Sequence, residues 1–386
     1  MTRISGDWLD NPHTQKVCAM LTDAGYQALF VGGCVRNALF GVDVNDLDIS
    51  TDALPETVID LAARAGLHAI PTGIDHGTIT VVSNHIPHEI TTFRKDVETD
   101  GRRAVVAFSK RAEDDAHRRD FTMNALYAQP DGTIVDPLGG MADLRARRVR
   151  FIDDANLRIR EDYLRILRYF RFHARYGDPA QGMDPDALAA IAANIDGIAT
   201  LSKERLGAET LKLLAAPDPA PSVAAMRQTG ALTAVITSAD DRALGPLLHL
   251  EEETNTAPNP IRRLAALCGE NVADGLRLSK KQTRLLETLR DAIGTTEMAG
   301  ALAYRHDADT ALSIMLLRAA LLEMPLAPTL HSEIEAGATA TFPIKPADLM
   351  PTYQGPELGA EIKRLEALWI ASDFTLTRED LLAQKQ

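Results

Sequence analysis

The sequence predicts an α+β fold in which a mixed sheet is confined to about the first 150 residues and helices alone follow. Three observations carry this. An apolar run at 28–31 reads as a buried strand, and Gly32 and Gly33 break it before a short helix at 35–40. Two further strand-like runs, 76–82 and 88–94, are separated by a turn at 83–87. From Phe151 onward the pattern is helical almost throughout. Breaks fall near 177–185, 217–221, 257–260, 342–351 and Gly355, and no internal repeat or low-complexity tract is present.

At 386 residues the chain is long enough for several domains and a sizeable core. Its 45% hydrophobic and 25% charged content is that of an ordinary soluble protein. No run approaches the apolar length that spans a bilayer, and the N-terminus carries no charged-then-apolar leader. Cys18, Cys34 and Cys268 lie far apart and form no metal or disulfide pattern. Together these features predict a cytoplasmic protein with reduced thiols and no membrane partner; they set no oligomeric state. The net charge of −13 opposes general nucleic-acid adhesion, because phosphate affinity comes from Lys and Arg. Arginine is nonetheless dense between Arg94 and Arg175, so a local basic surface for salt-sensitive binding of a defined RNA is compatible with an acidic chain.

Along the chain, residues 1–27 read as a leading helix, with Val17, Met20, Leu21 and Tyr26 at roughly helical spacing. Gly32 and Gly33 lack side chains and let main-chain N–H groups approach an anion. The helix start that follows, with Arg36 beside it, favours phosphate. On a strand, Asp46 and Asp48 point to the same side and share one site. Paired hard oxygen ligands beside a phosphate cradle suit Mg²⁺. Pro55 opens a helix. Gly-Gly alone is an ordinary tight turn and Asp-x-Asp alone a solvated loop; the functional reading rests on their spacing together.

This stretch, 31–51, resembles the signature of the nucleotidyltransferase superfamily headed by DNA polymerase beta. More narrowly, it resembles the class II tRNA nucleotidyltransferase and bacterial poly(A) polymerase family. One departure is Asn37, where many relatives carry Asp; a helix-start position tolerates either. The resemblance is specific over roughly 28–215. It implies a polymerase-beta-like catalytic head over 1–150 and a helical neck with a nucleotide-selecting helix over 151–215. A helical body and tail that bind RNA would occupy 216–386. It implies Asp46 and Asp48 as catalytic metal ligands and Glu89 as a third catalytic acid, although a carboxylate in a run such as 88–94 also suits a solvent-facing position. His76 and His88 read as sheet-edge or core histidines, because Mg²⁺ prefers oxygen. Residues 95–111 read as a mobile loop, which in the family helps switch from adding C to adding A; an ordinary surface loop fits the residues as well.

Residues 118–126 form a second match. Arg119 suits a triphosphate clamp, and Asp120 and Asn124 suit ribose hydroxyls. Residues 136–140 read as an organiser of the head–neck junction. In 161–176, Tyr163, Ile166, Leu167, Phe170 and Ala174 fall on one helical face, and Asp162, Arg165, Arg168 and Arg171 step around the other at intervals of three. That face reads either as a solvated charged edge or, as the resemblance implies, as a nucleotide-binding one. The resemblance places the base-selecting pair at Asp162 and Arg165. Residues 201–205 read as a capped helix start. Farther along, Arg262, Arg263, Lys280, Lys281 and Arg284 are candidate RNA contacts. The expectation is an enzyme that adds CCA to tRNA 3′ ends from CTP and ATP with Mg²⁺, by two-metal transfer and pyrophosphate release. A poly(A) polymerase or a CC-only or A-only enzyme is the alternative within the family, and a non-catalytic RNA binder the alternative outside it.

Overall fold

The computed structural model describes residues 2–100 and 103–384. The chain divides into two compact units, Met1–Leu213 with Pro221–Val235, and Leu214–Ala220 with Ile236–Gln386. Among the described residues no helix is long and apolar enough to cross a membrane.

In the first unit the leading segment is two helices, α1 (Asp7–Asp10) and α2 (Pro12–Thr22). Asn11 separates them: its side chain accepts the His13 N–H, and Pro12 sits at the first helical position, where its missing N–H costs nothing. Then follow β1 (Leu29–Val31), α3 (Gly33–Phe40), β2 (Asp48–Thr51), α4 (Pro55–Arg64), β3 (His68–Gly73), β4 (Thr78–Ser83) and β5 (Ile86–Thr92). A hairpin, β6 (Arg94–Asp100) and β7 (Arg103–Phe108), precedes α5 (Ala112–His117), β8 (Tyr127–Ala128) and β9 (Ile134–Val135). The sheet runs β3-β4-β5-β2-β1-β8-β9, with β2 and β5 parallel and the other neighbours antiparallel, so it is mixed. Phe30, Ile49, Ile79 and Ile90 are buried at its centre. His88 is a core histidine, held between the Val81 carbonyl (3.3 Å) and the Thr14 hydroxyl of α2 (3.1 Å), and burial pushes its pKa down.

Two expectations are corrected here. Asp46 lies in the irregular run before β2, which begins at Asp48, so the two aspartates are not alternate residues of one strand. The segment expected as a loop at 95–111 is largely the β6–β7 hairpin, a separate two-stranded sheet with a bulge between Asp96 and Glu98. Residues 101–102 of that expected loop lie outside the described residues.

The helices of this unit continue with α6 (Gly140–Arg145), α7 (Ala155–Glu161), α8 (Leu164–Tyr176), α9 (Pro185–Ala193), α10 (Lys203–Leu214), α11 (Ala220–Thr229) and α12 (Ala231–Val235). Asp136 caps α6, accepting the Gly140 and Met141 N–H groups at 2.8 and 3.0 Å. Gly140 is obligatory there: a Cβ would stand 2.2 Å from the Thr122 carbonyl oxygen.

Among the described residues the named elements of the second unit are helices: α13 (Leu244–Glu253), α14 (Pro260–Ala266), α15 (Val272–Gly275), α16 (Lys280–Ile293), α17 (Ala299–Arg305), α18 (Ala308–Leu322), α19 (Leu330–Thr339), α20 (Pro346–Leu349), α21 (Gly355–Ala371) and α22 (Arg378–Ala383). α17 and α19 cross backbone to backbone, since a Cβ on Gly337 would lie 2.0 Å from the Gly300 carbonyl oxygen. Leu349, Leu365, Trp369 and Leu381 form a terminal core. Arg262 and Arg263, expected as RNA contacts, are buried at 3% and 2% exposure. Both guanidiniums bind the equally buried Glu251, at 2.7 Å each, and Arg263 also donates to the Leu214 carbonyl at 2.8 Å. Their charge is spent inside the protein. Lys280, Lys281 and Arg284 are exposed.

Candidate active site

Gly32 adopts φ +72°, ψ −116°, a conformation open to glycine, and turns the chain from β1 straight into α3. Gly32, at the N-cap of that helix, has no side chain with which to cap it. Arg119 lies over it: a Cβ on Gly32 would be 3.4 Å from Arg119 Nη1. The Arg119 Nη2 reaches the Ser50 hydroxyl of β2 at 3.4 Å, and Nε and Nη2 both donate to Asp115 Oδ2, at 3.2 and 3.0 Å. A helix N-terminus, a glycine turn and a guanidinium with Nη1 toward the turn thus meet in one place, a combination that binds phosphate.

The acidic residues gather on the neighbouring strands. Asp48 stands opposite Glu89 in the parallel β2–β5 register. Burial, then the negative charge of Glu89, pushes the Asp48 carboxyl up to about 6; Asp46 adds to the rise and Arg119 opposes it. Asp46 and Glu89 are both exposed, whereas Asp48 is partly buried. Among the described residues no three or more His, Cys, Asp or Glu side chains close into a metal cage by themselves.

Arg36 is 7% exposed, with its guanidinium 4.3 Å from the centre of the Tyr176 ring and 5.1 Å from that of Phe172. Its Nη2 would lie 3.9 Å from a Cβ on Gly33, so it adjoins the glycine turn from the buried side. It donates to Asn124 Oδ1, to Asn37 Oδ1 (3.0 Å) and to the Tyr176 hydroxyl (2.9 Å). Asn124 in turn donates to Asp120 at 2.8 Å, and Arg168 binds the other oxygen of Asp120 at 2.5–2.7 Å. Burial alone would raise the Asp120 carboxyl; Arg168 and Asn124 outweigh it and hold it at about 2. Arg171 pairs with Glu209 at 2.5 Å. Arg168 Nη1, 4.0 Å from Glu209, joins this pair to the others, so the residues form one buried to half-buried polar network between α3 and α8.

Asp162, expected on the same helix as Arg165, sits in the break between α7 and α8 with an extended backbone (φ −155°, ψ 104°). Its side chain accepts the Leu164 N–H at 3.1 Å and pairs with Arg205 at 2.6 Å. Arg165 binds Glu161 and donates to the Arg158 and Arg118 carbonyls at 2.7 and 3.0 Å. The only hydrogen bond between the two residues runs through the backbone, from Arg165 N–H to Asp162 C=O, as among the described residues no bond joins their side chains.

Residues 28–150 match the family described as Poly A polymerase head domain, and 182–241 the family described as Probable RNA and SrmB- binding site of polymerase A. The chain is 32% identical over 377 residues to "CCA tRNA nucleotidyltransferase 1, mitochondrial" of Danio rerio, covering 93% of this chain and 86% of that one. The "CCA-adding enzyme" of Geobacillus kaustophilus (strain HTA426) is also 32% identical, over 90% of this chain and 89% of its own. The chain belongs to the CCA-adding tRNA nucleotidyltransferases. A crystal structure of the Bacillus stearothermophilus CCA-adding enzyme in complex with CTP aligns with a TM-score of 0.71 at 26% identity, covering 97% of this chain and 96% of that one.

For a CCA-adding family member, sequence reasoning missed four groups at this site. Asp115 and Tyr127 hold Arg119; Tyr176 carries Arg36; Arg205 holds Asp162. Asp115 is three residues before Arg118, a helical spacing that was legible; the other contacts span 8 to 140 residues and carry no local signal.

Proposed function

We propose that this enzyme completes tRNA 3′ ends with CCA, taking CTP and ATP without a nucleic-acid template. The observation that carries the reading is the meeting of Arg119 over the Gly32 turn with the Asp46, Asp48 and Glu89 carboxylates. In the reaction the 3′ hydroxyl of the RNA forms a bond to the α-phosphorus, the bond to the β-phosphate oxygen breaks, and pyrophosphate leaves. Arg119 and the first-turn N–H groups of α3 would hold the triphosphate. Asp46 and Asp48 fit Mg²⁺, which is held by one or two carboxylates plus substrate phosphates without a full protein cage. When bound, it would activate the hydroxyl and offset charge on the leaving group. Burial first, and then the facing Glu89, raise the Asp48 carboxyl, and a bound cation would offset both. In this reading residues 1–150 perform transfer, 151–215 select the nucleotide and 216–386 bind tRNA, in a cytoplasmic setting that suits the three free thiols.

The deciding assay offers tRNA ending at the discriminator base with CTP and ATP, singly and together. CTP alone should give CC and both should give CCA; a long A tail without C overturns the reading in favour of a poly(A) polymerase.

Selection would rest on Asp162 and Arg165. Cytosine and adenine each offer an amino donor beside a ring acceptor, and uracil and guanine the reverse. A carboxylate accepts and a guanidinium donates. An incoming base must draw Asp162 from Arg205, or share it, and Arg165 from Glu161. Asp162→Ala and Arg165→Ala should each lower the rate and raise UTP and GTP use relative to CTP and ATP by about 10-fold. Loss of rate with full selectivity would make this edge a phosphate clamp instead.

Charge reversal at Lys280 and Lys281 should weaken tRNA binding and flatten the dependence of log affinity on log salt by about one to two ions. An unchanged slope removes the pair from the RNA surface.

A further inference from the structure

Asp115 has no role in the chemistry above, yet it is fully buried beside the phosphate cradle. One of its oxygens, Oδ1, accepts from Arg118 Nε and Nη2 at 2.8 and 2.7 Å. The other, Oδ2, accepts from Arg119 Nε and Nη2 and from the Tyr127 hydroxyl, the last at 2.8 Å. Tyr127 also lies with its ring centre 5.5 Å from the Arg119 guanidinium carbon. One whole edge of the Arg119 fork is thereby occupied. The remaining nitrogen, Nη1, is the one that lies over Gly32.

Resting on the nucleotide-transfer reading above, we propose that Asp115 is the positioning residue of the triphosphate clamp. It locks the Nε–Nη2 edge of Arg119 so that Nη1 alone is presented to the phosphates. Arginine otherwise meets phosphate with two parallel N–H groups, and its long side chain samples many rotamers in solution. Here a buried carboxylate consumes the paired edge and removes that freedom. Arg119 then acts as a fixed single-ended donor, with Ser50 supporting Nη2 from β2. Burial would raise the Asp115 carboxyl, but the Arg119 and Arg118 guanidiniums and the Tyr127 hydroxyl outweigh it and hold it at about 2, so the locking charge is present throughout the working pH range. Tyr127, whose hydroxyl shares Oδ2, completes the mount.

The test compares wild type, Asp115→Asn, Arg119→Ala and the double variant, reading steady-state extension of tRNA with CTP and ATP and binding of CMP and inorganic pyrophosphate. Asp115→Asn should raise KM for CTP and ATP together by about 10-fold or more, weaken pyrophosphate binding by a similar factor and leave CMP binding within about 2-fold. In the Arg119→Ala background the same substitution should add less than about 2-fold, because the residue acts through Arg119. Tyr127→Phe keeps the buried charge and loses one hydrogen bond. It supplies a milder variant if Asp115→Asn is too unstable to assay, and should raise KM for both nucleotides by about 2- to 5-fold with CMP binding unchanged. Unchanged KM and pyrophosphate affinity in the folded variant, or full additivity with Arg119→Ala, would overturn the assignment, as would equal losses of CMP and pyrophosphate binding. A wild type that extends no tRNA would instead overturn the function proposed above, and pyrophosphate binding would still report on Asp115.

Discussion

Asp48→Asn should abolish nucleotide transfer, by at least about 1,000-fold, and at the same time raise the thermal stability of the metal-free protein. Both effects come from one property. The carboxyl sits at about 6 in the fold against an ordinary 3.8, raised by burial and by the facing Glu89. Between those pH values the folded state binds more protons than the unfolded one, so stability falls as pH rises from about 4 to about 6, and the deficit is complete above that window. A shift of this size corresponds to about 3 kcal/mol at full burial, which partial exposure reduces to about 1–2 kcal/mol. The asparagine removes the charge and the slope together. Thermal melts of both proteins from pH 4 to 8, with and without Mg²⁺, check this. Mg²⁺ should stabilise wild type and not the variant, and a variant that still extends tRNA with Mg²⁺ present would end the assignment of Asp48.

The second large effect lies far along the chain from that chemistry. Glu251→Ala should destabilise the second unit by about 3–5 kcal/mol, because it leaves the Arg262 and Arg263 cations buried without their shared counter-charge. Burial already pushes the Arg262 guanidinium down, and Glu251 is the first group that offsets it. Arg263 retains the Leu214 and Ala216 carbonyls at 2.8 and 2.5 Å, which satisfy its donors but not its charge. Replacing Glu251, Arg262 and Arg263 together with Leu, Met and Leu should cost much less than the single change, since no buried charge then remains. Urea denaturation of the three proteins measures this; a single-variant loss below about 1 kcal/mol would show that water or another group reaches the pair.

The fold class was legible because its signals are local. The Gly32 turn, the Pro55 helix start and the change to helical periodicity after Phe151 are each contained in a few residues, whereas the break at Asn11 and Pro12 was read through as one leading helix. The site residues were legible as types and less so as geometries. Asp162 reads as a helix residue because its spacing to Arg165 is helical, yet its own side chain binds the Leu164 N–H and ends the regular path just before α8. Arg36 reads as a phosphate ligand because it adjoins the glycine turn, but the sequence does not show that Tyr176, 140 residues away, also accepts from its guanidinium. Arg262 and Arg263 look like surface charge because adjacent arginines are usually solvated, and only the fold brings Glu251 beneath both. Local chemistry names which groups are available, and long-range packing decides where their hydrogen bonds go.

The parallel pairing of β2 with β5 bears on the order of folding. Parallel neighbours need a crossover in place of a tight turn, and here residues 52–85, with α4, β3 and β4, must be arranged before Asp48 can stand opposite Glu89. Loop closure of that length is entropically costly, so such pairings form late. The carboxylate pair is therefore a product of nearly complete folding of the head, and affinity for Mg²⁺ should appear in the last kinetic phase of refolding, after the β4–β5 hairpin has become protected from hydrogen exchange.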